Sequence, residues 1–497
     1  MNLRNLLIKQ DRFCIKEEYK CNKFLTPKLV NDKPSDVYEL AYYLAEKSGV
    51  KYIIDIGFGS RVNLKKFENK YEIICIDNYG NETIATQDLK ISKFIGINFE
   101  AGISDLIERD IIENSIVIFS NVIEKLCDPH KILKFLSDIS YMCKFLLITT
   151  PERVKLRGIG SSKPPLESSN IREWSVEEFY SLLNKYRFKD FMIGYTNNNV
   201  NLYKDTILML TGKNIYSKPE KKLKVLAVVN LFNEIDIIEE VITHLIKEGL
   251  DVKVVDNWSN DGSYEKVKQI SEENHRVSVI RFPDSPPDFY EWGQLLKNTE
   301  KISGESEYDW IIHYDADEIR ISPWKNVNLQ EAISFIDSQG YNAIDFTILD
   351  FRPISEDNYI FNNSIEKSLT CFEFGKRPGH FVQVKAWKNQ NNAKIDLATS
   401  GGHEVLFENR KVYPIKFITK HYPLRNKEQA SKKIFQERVN RISNVEKEKG
   451  WHTQYNSFTK DDSFTWNRDC LIGWNDKSFY EEYIIERISG IGIVRRN

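Results

Sequence analysis

Short β-branched apolar runs alternate with segments of helical periodicity, and the alternation occurs twice along the chain. In the first half, Tyr52-Ile-Ile-Asp-Ile-Gly-Phe-Gly59, Tyr71–Asp77, Ser115–Phe119 and Phe145–Thr149 have the composition of strands buried on both faces. Val37–Lys47, with Leu40, Ala41, Tyr43 and Leu44 at helical spacing, Lys131–Ser137 and Ser175–Lys185 predict helices between them. In the second half, Lys224–Asn230, Asp251–Asp256, Ser278–Phe282, Asp309–His313 and Val412–Thr419 predict strands, with a helix ending at Lys247 after the first. Repeated β-α-β alternation implies α/β architecture, with two doubly wound domains. Thr211–Lys224 is charged, contains Gly212 and Pro219 and lacks apolar periodicity, as an interdomain linker does. The expected division is 1–215, with 1–34 a polar extension, a linker over 216–223, and a second domain over 224–497. Ile434, Phe435, Val439, Ile442 and Val445 recur at helical spacing and predict one apolar face packed on that domain.

A length of 497 residues agrees with two cores rather than one. Lys+Arg 70 against Asp+Glu 72 leaves no electrostatic footprint for nucleic acid. The seven cysteines are scattered, without zinc-ligand or Cys-x-x-Cys spacing, which favours a reducing compartment. Met1–Gln10 has no sustained apolar core, and no run approaches the roughly 20 apolar residues that cross a bilayer. The expected location is the cytoplasm.

The chemistry concentrates in Trp310-Ile-Ile-His-Tyr-Asp-Ala-Asp-Glu318, where an apolar strand breaks into three carboxylates. Carboxylates at the end of a buried strand need a partner, and the simplest is a divalent cation such as Mg²⁺ or Mn²⁺ shared with substrate phosphates. Asp256 ends another strand before a turn rich in Asn, Ser and Gly, where it can accept from a uracil imide or a ribose hydroxyl. Asp261 serves equally as the cap of the following helix, and Asn233-Glu234 either faces a nucleoside or starts a helix. In the first half, Gly57 and Gly59 permit close backbone approach to a ligand, Asp55 can orient their loop, and Asp77 lies where a second-strand acid meets ribose hydroxyls. A third glycine is missing, so a nucleoside without phosphates suits this loop better than a pyrophosphate. Tyr290, Trp292 and Trp387 serve either as stacking platforms or as core.

Asp55-Ile-Gly-Phe-Gly59, Ile76-Asp77, Ser120-Asn-Val-Ile-Glu-Lys-Leu126, Thr150-Pro-Glu-Arg153, Arg157-Gly158, Pro164-Pro165 and Arg172-Glu-Trp174 together resemble a class I S-adenosylmethionine-dependent methyltransferase over roughly residues 20–212. This resemblance implies S-adenosylmethionine contacts at Asp55, Gly57, Gly59, Asp77, Asn98 and Asn121. Asn98, Asn121, Lys125 and Asn170 depart from the residues usual in that family, which leaves open a domain that keeps the fold and acts as a docking module. Val-Val-Asn-Leu-Phe-Asn-Glu234, Val-Val-Asp256-Asn-Trp-Ser-Asn-Asp261-Gly-Ser263, Tyr314-Asp315-Ala-Asp317, Gly401-Gly-His-Glu404 and His421-Tyr-Pro-Leu-Arg425 resemble the family 2 glycosyltransferases of GT-A fold. By this resemblance Asp315 and Asp317 hold the metal on the diphosphate of a UDP-linked sugar, with His421 as a third contact, and Asn233, Glu234, Asp256 and Asp261 contact the nucleotide. Inverting transfer to a glycan, lipid-linked or protein-linked acceptor needs a base. Glu404 is the first choice and His403 the second. A lipid-linked acceptor would add peripheral membrane contact, and a nucleotide-sugar-binding protein without catalysis is the alternative of a different class.

Overall fold

In the computed structural model the apolar runs assemble into two mixed sheets, each in its own unit, and residues 36–493 are described apart from 58–60, 79–88, 100–105, 160, 162–163, 168, 198–203, 355–363, 391–393, 439–440, 442, 444–445 and 447–456. The predicted 1–34 extension, Gly59, Val439, Ile442 and Val445 lie outside the described residues.

The first unit comprises the chain to Ser217 together with Asp476–Ile491. Its strands are β1 (Tyr52–Ile56), β2 (Glu72–Asn78), β3 (Lys93–Ile97), β4 (Ser115–Ser120), β5 (Phe145–Pro151), β6 (Met192–Thr196) and β7 (Thr206–Thr211), in the order β3-β2-β1-β4-β5-β7-β6. β1 to β5 pair in parallel, and β7 runs antiparallel to both neighbours. Ile54, Ile74, Val117, Leu146 and their neighbours are excluded from solvent, as near-continuous apolar strands require. The chain moves outward from β1 to β3, then crosses back to β4, so the crevice between the ends of β1 and β4 is a topological switch point. Ser175 and Glu178 form a capping box that starts the helix Val176–Lys185 where the sequence predicts it.

The sequence reading assigned 224–497 to one domain, whereas the helices Asp476–Glu482 and Ile484–Ser489 group with the first unit. Gly194 makes that packing possible, because a Cβ there would strike the Glu481 carbonyl and approach Ile484 Cβ to 3.0 Å. Lys155 pairs with Glu482 at 2.5 Å and Lys204 with Glu486 at 2.7 Å, and Ile484, Ile485 and Ile488 are buried.

The second unit contains β8 (Val225–Leu231), β9 (Asp251–Asp256), β10 (Val277–Arg281), β11 (Trp310–Asp315), β12 (Glu318–Ile321), β13 (Ala343–Phe351), β14 (Cys371–Phe374), β15 (Val384–Lys388), β16 (Phe417–His421) and β17 (Ile472–Gly473). The order is β10-β9-β8-β11-β15-β13-β14-β17, with β16 joining β12 to β13. β8 to β11 are parallel and β15 is antiparallel to β11. Here too the chain steps outward from β8 to β10 and returns to β11, which puts a switch point between β8 and β11. The predicted strand Val412–Thr419 is displaced: Val412 makes only an isolated bridge, and β16 begins after Pro414, which has no N–H for a ladder. His421 is therefore the last residue of a strand rather than part of a following loop.

Replacing Gly194 with valine should lower the thermal midpoint of the first unit's transition by several degrees, about 1–3 kcal/mol. An unchanged midpoint in scanning calorimetry would mean that the terminal helices do not seat on β6.

Candidate functional site

Strand register gathers the second unit's polar residues at one edge. Asp315 is level with Asn230 across the β11/β8 pair, and Leu231 is level with Asp256 across β8/β9, so three adjacent parallel strands end together. Asp256 is buried, accepts the Ser259 N–H at 3.2 Å and lies 3.5 Å from Arg281. Burial raises its pKa despite those contacts. The Arg281 guanidinium lies over Tyr264 and Trp258, at 3.9 and 4.6 Å from the ring centres. Across β12, β16 and β13, Glu318, His421 and Asp350 share a row.

The sequence reading gave the two aspartates a metal ion as partner, and the structure gives each a lysine. Asp315 accepts from Lys385 at 2.8 Å, and Asp317 from Lys433 at 2.8 Å. Burial alone would raise both pKa values, yet Lys385 and His313 hold Asp315 well below the usual carboxylate range, and Lys433 and His421 hold Asp317 at about 2. Each aspartate also faces an imidazole: His313 Nε2 is 3.8 Å from Asp315 and His421 Nε2 is 3.8 Å from Asp317. The Nδ1 side of His421 meets Asp350 at 2.7 Å, which leaves Nε2 turned toward Asp317. Burial pulls the His421 pKa down, but Asp317 and Asp350 outweigh it and the net shift is upward. Glu318 is tied to Arg320 and to Lys385 and backs the site rather than opening into it.

Two carboxylates and an anchored imidazole form a donor set suited to Mg²⁺ or Mn²⁺. His313 Nε2 and Asn230 Oδ1, buried beside the switch point, have no hydrogen-bond partner among the described residues. No group of three or more His, Cys, Asp or Glu among the described residues is arranged to hold an ion unaided. An ion here would need substrate oxygens to complete its shell, and it would contend with the lysines for the two carboxylates.

The remaining predicted residues separate clearly. Asn233 is held by Asn260 and Glu437, and the Glu234 carboxylate by Arg425 and Lys433. Asp261 caps its own turn, accepting from Ser263 and from the Ile235 N–H. Glu404 is engaged by Arg410 at 2.5 Å. His403 lies nearer the carboxylates: it is held by Gln383 at 2.8 Å, and burial and Lys385 push its pKa down to about 4, with Asp315 opposing. Trp387 is core, while Trp292 lies against His313 and hydrogen-bonds the Gly401 carbonyl. Sequence reasoning missed Lys385, Lys433, His313 and Asp350. A charged residue inside an apolar strand, as in Val384-Lys-Ala-Trp and Ile348-Leu-Asp-Phe351, was the available signal for Lys385 and Asp350.

In the first unit Asp55 and Asp77 are both buried at the switch point. Tyr38 donates to Asp55 at 3.1 Å, and Asp77 accepts the Asn78 N–H at 2.6 Å. Burial, with a contribution from Asp77, pushes Asp55 up to about 7 against the Tyr38 hydrogen bond, and burial pushes Glu124 to about 7. Gly57 has φ +79° and faces Val122 so closely that a side chain would collide with it. Asn121 also has a positive φ, 53°, and accepts from Thr149, while Asn98 follows β3. Arg153–Glu178 and Arg157–Glu173 are buried ion pairs, and Arg172 donates to the carbonyls of Leu126 and Cys127, so these motif residues hold the scaffold together. Cys75, Cys143 and Cys371 are buried thiols and Cys470 an exposed one. No helix among the described residues is long and apolar enough to cross a membrane.

Residues 227–288 match the family described as glycosyl transferase family 2, a span that includes Asp256 and ends before Asp315. No curated protein matches the chain significantly. Among solved structures, a mannosyltransferase from Pyrobaculum calidifontis in complex with GDP-Man and Mn²⁺ is 20% identical over 26% of this chain and 37% of that one, with a TM-score of 0.21. An S-adenosylmethionine-dependent methyltransferase from Archaeoglobus fulgidus is 14% identical over 35% of this chain and 91% of its own, TM-score 0.25. A possible histamine N-methyltransferase from Thermotoga maritima is 15% identical over 36% and 91%, TM-score 0.24. Within the second unit, residues 227–288 are thus a segment similar to glycosyl transferase family 2.

Acids whose pKa rises on folding favour the folded state below their unfolded pKa, and that advantage fades as pH climbs through the folded value. Asp55 and Glu124 therefore predict a first unit that loses stability between about pH 4 and pH 7. Asp55→Asn should reduce this decline in thermal midpoint. A variant with the wild-type pH slope would show that the carboxyl is not buried in this way.

Proposed function

We propose that the second unit transfers a sugar from a nucleotide-sugar, with UDP as the nucleotide, to a glycan or glycoconjugate acceptor with inversion at the anomeric carbon. The observation that carries this reading is the alignment of Asp256, Asn230 and Asp315 at neighbouring strand ends beside the β8/β11 switch point. In this reading Asp256 and the Arg281–Tyr264–Trp258 stack hold the nucleoside, with Asn233, Glu234 and Asp261 shaping its loops. Asp315, Asp317 and His421 hold Mn²⁺ or Mg²⁺ together with the diphosphate. When bound, the ion supplies positive charge where the departing diphosphate gains negative charge. His403 shares the Asp315 corner in neutral form and is the candidate base for the acceptor hydroxyl, while Glu404 takes that role only if released from Arg410. The first unit would bind S-adenosylmethionine at Asp55, Gly57, Gly59, Asp77, Asn98 and Asn121, and would either methylate the glycan or present it.

Incubating the full chain with a panel of nucleotide-sugars and Mn²⁺ should reveal slow donor hydrolysis or transfer by mass spectrometry. Asp317→Asn should reduce it by about 10²-fold or more. Turnover that survives in Asp317→Asn, or its absence across the whole panel, would sink the assignment. Titrating S-adenosylmethionine in a calorimeter separates the two roles of the first unit: heat at micromolar ligand supports methyl transfer, and none at millimolar ligand supports presentation.

A further inference from the structure

One side chain at this corner is not explained by nucleotide or metal binding alone. Lys433 lies just inside the π-helical segment Lys432–Arg438, which continues the short helix Lys427–Ser431. π turns are poorly favoured and occur disproportionately at functional positions. The Lys433 side chain is 4% exposed, and its ammonium spans two elements, donating to Glu234 Oε1 at 2.7 Å and to Asp317 Oδ2 at 2.8 Å. Glu234 does not depend on it, because Arg425 binds the other Glu234 oxygen and pairs in turn with Asp236. Asp317 has a stronger need: among the described residues its other oxygen faces His421 Nε2 at 3.8 Å, beyond hydrogen-bond reach. A buried lone carboxylate is costly, so an ammonium at Asp317 stabilises the chain while no divalent ion is there. A divalent ion taking the other Asp317 oxygen beside His421 would repel the ammonium held on Oδ2, so ion and lysine weaken each other's hold on this carboxylate.

We infer that Lys433 exchanges with the divalent ion: it neutralises Asp317 in the unliganded chain, gives it up when ion and donor enter, and then bears on the donor's diphosphate. This inference rests on the donor site proposed above. It makes Lys433 a competitor of the ion and an ally of the nucleotide, two effects of opposite sign. A purely structural lysine would weaken both on removal.

The test uses the full chain and two probes, Mn²⁺ alone and UDP in saturating Mn²⁺. Lys433→Met keeps the aliphatic stem and removes the charge. Its affinity for Mn²⁺ alone, read from the electron paramagnetic resonance of free Mn²⁺, should rise by about tenfold, and its affinity for UDP should fall by a similar factor. Lys433→Arg, which keeps the charge, should remain near wild type in both. A Lys433→Met chain that binds Mn²⁺ no better than wild type, while wild type binds UDP, overturns the exchange and leaves the donor site standing. A wild-type chain that binds neither probe overturns both. Should Lys433→Met fail to fold, acetylation of wild-type lysines decides instead. Lys433 should be slow to react in the free chain, faster with Mn²⁺ alone, and slow again with Mn²⁺ and UDP. Reactivity that ignores Mn²⁺ overturns the exchange.

Discussion

Parallel strands that end together in a buried corner bring their terminal side chains within a few ångströms of one another, and when those side chains are carboxylates the corner must be neutralised. The second unit answers this constraint with lysines and imidazoles drawn from distant parts of the chain. Lys385 arrives on β15, His421 on β16 and Lys433 on a π-helical turn. Asp350 and Glu318 hold these cations from behind. None of the pairs is a surface contact with negligible energy, because the participating lysines and acids are largely withdrawn from water. The sheet order, the position of β16 and the irregular turn after Ser431 all serve to deliver charge to one corner.

The first unit faces the same problem and solves it differently. Here the Tyr38 hydroxyl donates to Asp55 and the Asn78 backbone N–H to Asp77. The result is a carboxyl pushed toward its neutral form, in contrast to the firmly ionised Asp315 and Asp317. The two crevices thus differ in the charge their buried carboxyls carry, which is the contrast that the two proposed ligands, a nucleoside without phosphates and a nucleoside diphosphate, would require.

Most of the fold was legible because its signals are local. Asp251–Asp256 and the helix over Ser175–Lys185 are read from a β-branched run and from helical periodicity within a dozen residues. The aspartates were legible for the same reason, as acids that interrupt an apolar strand. Their partners were not, since Lys385 and Lys433 reach them across 70 and 116 residues of sequence: Lys385 is marked only as a charge inside an apolar strand, and Lys433 carries no mark of its destination. The shift of β16 came from underestimating Pro414, and the missed return of the terminal helices from the absence of any local cue that Gly194 had left room for them.

That return has a consequence for biosynthesis. The ribosome releases β6 hundreds of residues before Ile484, Ile485 and Ile488, which will cover its flank, have been made. During that interval Lys218–Asn475 of the second unit is translated, while the earlier sheet waits with an unshielded apolar border. A nascent chain of this design favours late closure over sequential maturation, and its early half is most exposed to chaperones and to sticky encounters until Ile484–Ser489 has emerged.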